Sequence, residues 1–401
     1  MSGRTPVSSM LLAVLLVSFQ GGAASAALLE VPEDHETIAA ALAAASHGDT
    51  VSIAPGNYYE HDLLLPPGVS LVGRSGSPGS VVIDAQELGR VLLGGELDEQ
   101  NLLAHFTARA GNAQGWPGAG LYLSGPCTLR NLIVEDCSTT TRGAGAHCTH
   151  PYLIEDCVFR NNRCTGAESD AGGLYIIPIP WTGSIVRRTD FIGNEARWGA
   201  AIWAYASYPI IFDSIRVFQN SGWSAIHLYN GEVAAGAFMI ENSILAGNTG
   251  IGIYAVAGGT VRSCTIVDCR GGLVVQGSWA TSSYVHMDGC LITHNAGEPE
   301  DGGVCSVFGE YAGYVLVSCS DVYKNLPANY SGMLDQTGFN GNTSADPRFC
   351  AGAGPEEFAL REDSPCAPAN NACGVLMGAF PVGCESTSTA QSSWSAIKAM
   401  Y

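Results

Sequence analysis

Two short patterns of apolar and polar residues recur along most of the chain. The first is an apolar residue, two variable residues and then Asn or Cys, and from Cys137 to Asn325 it recurs over seven intervals in 188 residues. The spacing is therefore about 27 residues, which indicates a repeat architecture. Its polar ends are Cys137, Asn162, Asn194, Asn220, Asn248, Cys269, Asn295 and Asn325. An Asn at the same turn of successive repeats can bond its amide to the next repeat's backbone.

The second pattern follows the first in each repeat. It is a small residue, an apolar residue, a variable residue and another apolar or small residue, as at 173–176, 201–204 and 225–228. Period-two alternation predicts short strands, and the Gly, Asn, Ser and Asp between them predict turns. The repeats therefore predict an all-β fold, a β-solenoid of about ten to twelve coils spaced ~4.8 Å apart. A leucine-rich repeat fits less well because its L-x-x-L-x-L-x-x-N motif is absent.

Three segments before the repeats carry a family resemblance: TIAAAL at 37–42, GDTVSIAPGNYYE at 48–60 and LPPGVSLVG at 65–73. They resemble the N-terminal cap and first coils of pectin-lyase-like right-handed β-helix proteins, and the resemblance covers roughly residues 29–350. It implies a single-stranded right-handed parallel β-helix with an N-terminal capping helix at about 36–45. It implies little about function, because this fold hosts lyases, hydrolases, esterases, tailspikes and non-catalytic surface proteins.

The ends of the chain predict export. Residues 1–26 have the pattern of a secretory signal peptide: Arg4, an apolar run at 10–19 too short to span a bilayer, and the cleavage site Ala24-Ser25-Ala26. A membrane anchor is the alternative. We expect the β-helix at 27–349, a C-terminal cap at 350–384 and a linker or tail at 385–401. The tail either precedes a missing sorting module or forms a short helix. The prediction is a secreted or cell-surface protein with no membrane span in its mature part.

The chain has 14 cysteines, and export permits disulfides. In the C-terminal cap, two disulfides are expected among Cys350, Cys366, Cys373 and Cys384. In the solenoid, Cys264 and Cys290 occupy one repeat position on adjacent coils, where they form either a disulfide or a stack of small residues. Cys137 and Cys164 are another possible pair.

The amino-acid composition narrows the class of partner that the protein can bind. Charged residues are 14% and apolar residues 46%, so the chain must bury a large core. The net charge of −19 argues against nucleic acid and disfavours a polyanionic glycan, unless a local basic patch overrides it. No zinc spacing or cofactor motif occurs, so no cofactor and no metal site are predicted. The expected partner is a polysaccharide or glycan surface.

One column of rings is the candidate binding site. The variable residue of the second pattern points outward. In six consecutive coils it is Tyr122, His147, Tyr175, Trp203, His227 and Tyr254, and Tyr205 and Tyr229 face out two positions further on. Such a column predicts an exposed apolar platform that suits sugar faces. The alternatives are that stacked rings stabilise neighbouring coils, or that a loop covers them.

Charged residues beside this column are the candidate catalytic group. They are Glu168, Asp170, Glu195 and Arg197, and a carboxyl pair, or His147 or His227 as base, could perform acid–base chemistry. The alternative is that they are ordinary solvated turn residues. The blocks typical of polygalacturonase-like hydrolases and pectin methylesterases are absent.

Three functional hypotheses follow. The chain is a non-catalytic glycan-binding surface protein, a structural or adhesive module, or a polysaccharide lyase or glycoside hydrolase with an unrecognised site. A glycan-binding protein and a polysaccharide lyase or hydrolase are distinguished by whether cleavage products form. The sequence favours the two non-catalytic hypotheses.

Overall fold

The chain winds into a right-handed parallel β-solenoid of about ten turns, as predicted. The computed structural model describes residues 26–167, 169–180, 182–206, 208–229, 238–277, 283–297, 307–310, 313–350 and 358–384. Each turn contributes one strand to sheet A, one to sheet B and one to sheet C, in that order, and all pairings between these strands are parallel. The solenoid is thus a stack of similar short coils, and each coil contacts its neighbours.

The strands are two to six residues long. Sheet A contains Leu28–Val31, Thr50–Ile53, Ser70–Gly73, Leu102–Ala104, Thr128–Arg130, Leu153–Glu155, Ser184–Arg187, Ile210–Asp213, Phe238–Glu241, Gly259–Arg262, Ser283–Asp288 and Gly313–Ser318. Sheet B contains Gly56–Tyr58, Val81–Asp84, Thr107–Arg109, Ile133–Glu135, Val158–Arg160, Asp190–Ile192, Arg216–Phe218, Ile244–Ala246, Thr265–Val267, Leu291–Thr293 and Asp321–Tyr323. Sheet C contains Leu63–Leu64, Leu92–Gly94, Leu121–Ser124, Ala146–Thr149, Leu174–Ile177, Ile202–Tyr205, Ser224–Tyr229, Ile251–Val256, Gly271–Gln276, Val307–Glu310 and Tyr330–Ser331. A small sheet D between B and C contains Asn112–Ala113, Ser138–Thr139 and Arg163–Cys164.

Helical structure is confined to short segments of the described chain. The α-helix Ile38–Ala44 begins after Thr37, whose side chain accepts a hydrogen bond from the Ala40 amide. The Glu60 carboxylate accepts hydrogen bonds from the first two amides of the helix, which otherwise lack intrahelical partners. Ile38 and Leu42 are buried. That this helix closes the end of the solenoid stays a prediction. Single 3-10 turns lie at Pro78–Ser80 and Pro368–Asn370.

The interior of the solenoid is a continuous apolar column. Alternate strand residues point inward and are fully buried, among them Phe159 and Phe191, whose rings stack at 5.2 Å between centroids. The chain turns sharply from sheet A into sheet B through one residue in the left-handed region, such as Asp156 at φ 55° and Asn242 at φ 52°. This brief turn leaves little room for variation between coils, so the register is kept from one coil to the next.

The Asn column forms the predicted ladder. Asn194 Oδ1 accepts hydrogen bonds from the Asn162 amide at 3.1 Å and from Asn162 Nδ2 at 3.0 Å. Asn220 Oδ1 accepts the equivalent pair from Asn194. Each Asn Nδ2 also donates to a backbone carbonyl of the preceding coil, as Asn194 does to Phe159 at 2.9 Å. The amides bond the backbone of an adjacent coil, as predicted, but that coil is the preceding one and not the next.

The cysteines pair differently from the prediction. One of the two disulfides expected within the C-terminal set forms, between Cys350 and Cys384. The other expectation is wrong, because Cys373 pairs with Cys319 of the solenoid. Cys366 is a buried thiol. Sequence could not supply the partner of Cys373, because that partner lies in an earlier coil and nothing local marks it.

The four solenoid cysteines for which disulfides were suggested are thiols. Cys264, Cys290, Cys137 and Cys164 are buried and unoxidised, so neither suggested disulfide forms. Cys264 and Cys290 instead act as small core residues, each with its Sγ near backbone carbonyls at 3.1–3.5 Å. The alternative of a small-residue stack is the one that the structure supports.

Residues 346–350 and 358–384, which we call the strap, lie along the outer face of sheet B. Apolar side chains of the strap pack on outward-facing side chains of that sheet. They are Phe349, Phe358 and Phe380 of the strap, and Phe218, Ile244, Ala246 and Val267 of sheet B. The last coil is completed by residues before the strap: Gln336 bonds the backbone of Val317 and Val315, and Asn342 bonds Ser320 and Val317.

Candidate functional site

Sheet C places the predicted rings in one column. The backbone register pairs Tyr122 with His147, His147 with Tyr175, and Tyr175 with Trp203. It then pairs Trp203 with His227, and His227 with Tyr254. We call these six residues the ring column. Val274 follows Tyr254 in register and ends it. The column predicted from the repeat is therefore present, one ring per coil.

The rings lie face to face. The Tyr175 ring is 4.6 Å from the His147 ring and 4.6 Å from the Trp203 ring, with interplanar angles of 5° and 2°. The Tyr122 and His147 rings are 5.3 Å apart at 9°. Toward the other end the stack loosens, since His227 and Tyr254 are tilted by 43°. The ring faces contact one another, so they are not free to bind sugar faces along the column.

The middle of the ring column is buried. Tyr175 is 5% exposed, and Trp203 and His227 are each 8% exposed. The expectation of an exposed flat platform is therefore wrong for these three residues. The physical reason is that side chains from both ends of the sheet C strands fold over the rings. Burial raises the pKa of Tyr175 to about 12.

Tyr205 and Tyr229 lie at the carboxyl ends of their strands and cover Trp203. Their rings are 6.1 Å and 5.9 Å from its indole, and 5.7 Å from each other. Tyr205 is half-buried, whereas Tyr229 is 40% exposed. Of these two rings, Tyr229 is therefore the more exposed to solvent.

Two tryptophans cover the ring column from the opposite side. Trp198 and Trp223 precede their sheet C strands and meet edge to face, 4.6 Å apart. Trp198 contacts His227 at 5.8 Å, and Trp223 contacts Tyr254 at 4.4 Å, again edge to face. Both indoles are half-buried. They enlarge the aromatic surface beyond the predicted column.

Both histidines of the column are held in the neutral form. Burial lowers the pKa of His227 to about 4. Burial, together with the positive charges of Arg142 and Arg90, lowers the pKa of His147 to about 4. The Nδ1 atom of each imidazole is buried without a hydrogen-bond partner. An imidazolium at either position would be costly, because its charge would have no compensating carboxylate.

The candidate catalytic carboxylates are engaged in ion pairs. Asp170 pairs with Arg142 at 3.1 Å, and Glu195 pairs with Arg163 at 2.9 Å, each arginine coming from the preceding coil. Asp170 is bridged on its backbone to Arg142 and Trp198, whereas Glu195 is bridged to Arg163 and Ser221. The two carboxylates thus belong to two separate columns of the long turn before sheet C.

The other two candidates have different outcomes. Arg197 stacks its guanidinium over Trp198 at 5.4 Å and donates a hydrogen bond to the Ala167 carbonyl. Its backbone amide is bound by the Ser169 hydroxyl, beside Asp170. Glu168 lies outside the described residues. The catalytic role assigned to the group stays a prediction.

Two further arginines belong to this surface and were not anticipated. Arg90 lies over the Tyr122 ring at 5.6 Å, and Arg142 lies over the Tyr175 ring at 5.7 Å. A signal for one of them was present in the sequence. Arg142, Asp170 and Trp198 are equally spaced, which marks one position in successive repeats. The cation–π contacts themselves depend on side-chain direction, which a repeat pattern does not specify.

We call the polar border of the ring column the rim. It comprises Arg142, Arg163, Asp170, Glu195, Arg197, Trp198 and Trp223. It presents guanidinium and carboxylate groups next to aromatic edges, which can hydrogen-bond hydroxyl groups and pack against apolar patches. Within the described ranges, no group of three or more His, Cys, Asp or Glu side chains is placed to hold a metal ion. No helix of the described chain is long and apolar enough to cross a membrane.

Comparison with known proteins agrees with the architecture. The family model described as "Right handed beta helix region" matches residues 182–326. Among solved structures, the chain is similar to the crystal structure of pectate lyase Pel9A, at 12% sequence identity and a TM-score of 0.56, over 86% of this chain and 91% of that one. No curated protein matches the sequence significantly. At such low identity the likeness concerns the fold and not the activity. The chain thus has the fold of a right-handed parallel β-helix, similar to that of pectate lyase Pel9A.

Proposed function

We propose that this chain is an exported β-helix protein that binds a glycan along the rim of sheet C without cleaving it. The observation that carries the proposal is the joint arrangement of aromatic and ion-paired side chains on one side of the solenoid. Six successive coils contribute a ring, and the rim beside them places charged groups next to indoles. A polar pattern of this kind next to aromatic surface is typical of sites that orient a ligand by hydrogen bonds.

The binding surface differs from the platform that the sequence predicts. The stacked rings form a rigid base, and contact with a sugar falls to the groups above them. Tyr229 offers an exposed ring, while Trp198 and Trp223 offer half-buried indoles. Arg163 and Glu195, 60% and 47% exposed, offer hydrogen-bonding groups to hydroxyls. Binding then costs little conformational entropy, because the rim side chains are held in place before the ligand binds.

The charges of the rim support binding over cleavage. Asp170 and Glu195 are each engaged by an arginine from the preceding coil. Of the two histidines that could act as bases, His227 is buried and His147 is half-buried, and the Nδ1 atom of each is buried without a partner. A general base must come within hydrogen-bond reach of the proton that it removes, and burial of Nδ1 leaves only Nε2 of each imidazole for that purpose.

Export is part of the proposal. The predicted signal at 1–26 lies outside the described residues, apart from its last position. Two disulfides in the C-terminal part, Cys319–Cys373 and Cys350–Cys384, support folding in an oxidising compartment. Glycans at or beyond the cell surface are the ligands that such a protein would meet.

The test uses the purified protein and a panel of plant, algal and bacterial polysaccharides. Binding, new reducing ends and unsaturated products are measured on the same samples. Binding without products is the expected result. Products of either kind would replace the proposal by a polysaccharide lyase or hydrolase. Neither binding nor products would leave a structural or adhesive β-helix and would overturn the proposal.

A further inference from the structure

A buried carboxyl group lies where the strap meets the solenoid. Asp321 belongs to the last strand of sheet B and follows Leu291 in its outward-facing column. Its side chain has no exposed surface. Leu291 packs against the strap residues Leu360, Cys366 and Met377. Asp321 is therefore covered by the same segment that covers its neighbour on the sheet.

Only one oxygen of this carboxyl group is satisfied by hydrogen bonds. Oδ1 accepts from Thr343 Oγ1 at 2.8 Å and from the Ala345 amide at 2.9 Å. Oδ2 is buried and has no hydrogen-bond partner. The strap group that interacts with the carboxyl is the Cys366 thiol, which is itself fully buried. A carboxylate with a bare, buried oxygen is costly, and a carboxylic acid at the same place costs less because it carries no charge.

The surrounding charges do not compensate an ionised Asp321. The titratable groups that face it are Cys366 from the strap, Asp346 at the start of the strap and Tyr330 from the last strand of sheet C. Asp346 carries a negative charge and disfavours a second one nearby. Tyr330 contributes a buried hydroxyl without a hydrogen-bond partner, and the thiol of Cys366 is a weak donor. None of the three supplies a positive charge.

We propose that a proton on Asp321 fastens the strap to sheet B, so that the strap docks more tightly in mild acid than at neutral pH. Strap and sheet are also joined by hydrogen bonds from the Gly378 amide to the Gly289 carbonyl and from the Ala379 amide to Thr265 Oγ1. The disulfide Cys319–Cys373 keeps the strap attached when it loosens. The strap then opens and closes over the apolar face of sheet B without leaving the molecule.

The direction of the effect follows from linkage. Burial raises the pKa of Asp321 to about 6, against the opposing effect of its hydrogen bonds. When the strap opens, the carboxyl group meets water and regains an ordinary pKa near ~3.9. The docked state thus binds the proton more tightly than the open state. Docking is strongest below about pH 4 and weakens as the pH rises through about 6, by up to roughly a hundredfold in the docking equilibrium.

Hydrogen exchange of the whole protein tests this inference. Protection factors, corrected for the intrinsic pH dependence of exchange, are measured for the strap peptide containing Gly378 and Ala379 from about pH 4 to about pH 7.5. Protection should fall as the pH rises, by up to roughly a hundredfold. Peptides from the middle of sheet C should not follow this profile, because the opening is local.

Two variants isolate the carboxyl group. Asp321→Asn cannot ionise, so its strap protection should lose the pH dependence. The matched control is Asp363→Asn, which removes an exposed carboxylate of the strap and should keep the wild-type profile. The inference is overturned if wild-type strap protection is flat or rises with pH. It is equally overturned if Asp321→Asn keeps the wild-type slope. Should Asp321→Asn fail to fold, the wild-type profile alone decides, since only a fall across this pH range agrees with the proposal.

Discussion

The indole of Trp203 lies parallel to the phenol ring of Tyr175, with 4.6 Å between their centroids and 2° between their planes. This spacing is that of neighbouring strands in a sheet, so each ring extends the stack of the backbone into the side chains. Stacked rings contribute energy beyond the area they bury. We therefore expect the middle of the ring column to contribute mainly to stability, so that the proposed glycan binding depends on the residues around it.

Replacing Trp203 by Ala should destabilise the protein. The indole is 8% exposed and contacts Tyr175, Tyr205 and Tyr229. Its removal leaves a cavity between stacked coils and should cost about 3–5 kcal/mol. Urea unfolding measures the change. Tyr59→Ala, which removes a ring that is 62% exposed, is the control and should alter stability little. If Trp203→Ala is as stable as the wild type, the indole does not stabilise the stack and is instead an exposed binding ring, as the sequence predicts.

Tyr229→Ala should weaken glycan binding and spare the fold. This ring is 40% exposed and lies at the outer end of its strand, above the buried indole of Trp203. Loss of one aromatic contact at a binding site should raise the dissociation constant about tenfold or more. The measurement is binding of the polysaccharide selected by the panel, with Tyr59→Ala as control. Equal affinity of the two variants would place the glycan elsewhere on the molecule.

Repeat spacing predicts what successive coils share. Asn194 and Asn220 occupy one turn because each coil must satisfy the same backbone groups, and Tyr175 and Trp203 occupy one column because strand register is kept. The spacing does not predict burial. Whether the Trp203 ring is exposed depends on Tyr205 and Tyr229, whose side chains lean over it.

Contacts that occur only once in the molecule also cannot be predicted from the repeat spacing. Cys373 pairs with Cys319 through the path of the strap, and that path is determined by apolar packing on sheet B. The buried position of Asp321 has the same origin, since a lone Asp in a strand ordinarily faces water. Long-range packing of this kind has no local pattern from which it could be predicted.

Acid should destabilise the ring column through His227. Burial lowers its pKa to about 4, so the fold favours the neutral imidazole. Its contribution is full above the unfolded pKa of about 6.5 and is lost as the pH falls toward about 4, a change of about 2–3 kcal/mol. His227→Phe retains a ring without the charge and should remove this part of the pH dependence.

The comparison for His227 is made by urea unfolding near pH 7 and near pH 4.5. His286→Phe is the control, because His286 is exposed on sheet A and should change the pH dependence little. The quantity of interest is the difference between each variant and the wild type at the two pH values. An unchanged acid sensitivity in His227→Phe would show that this imidazole is solvated in the protein.

Asn220 should be the most sensitive position of the Asn ladder. Its Oδ1 accepts from the amide and the Nδ2 of Asn194, and its Nδ2 donates to the Phe191 and Phe218 carbonyls and to Asn248. Asn220→Ala leaves several buried backbone groups without a partner and should cost about 2–4 kcal/mol. Asn57→Ala, at an exposed position of sheet B, is the matched control. Unfolding free energies measure both. If the two variants lose the same small amount, water replaces the missing amide and the ladder sets coil register without adding stability.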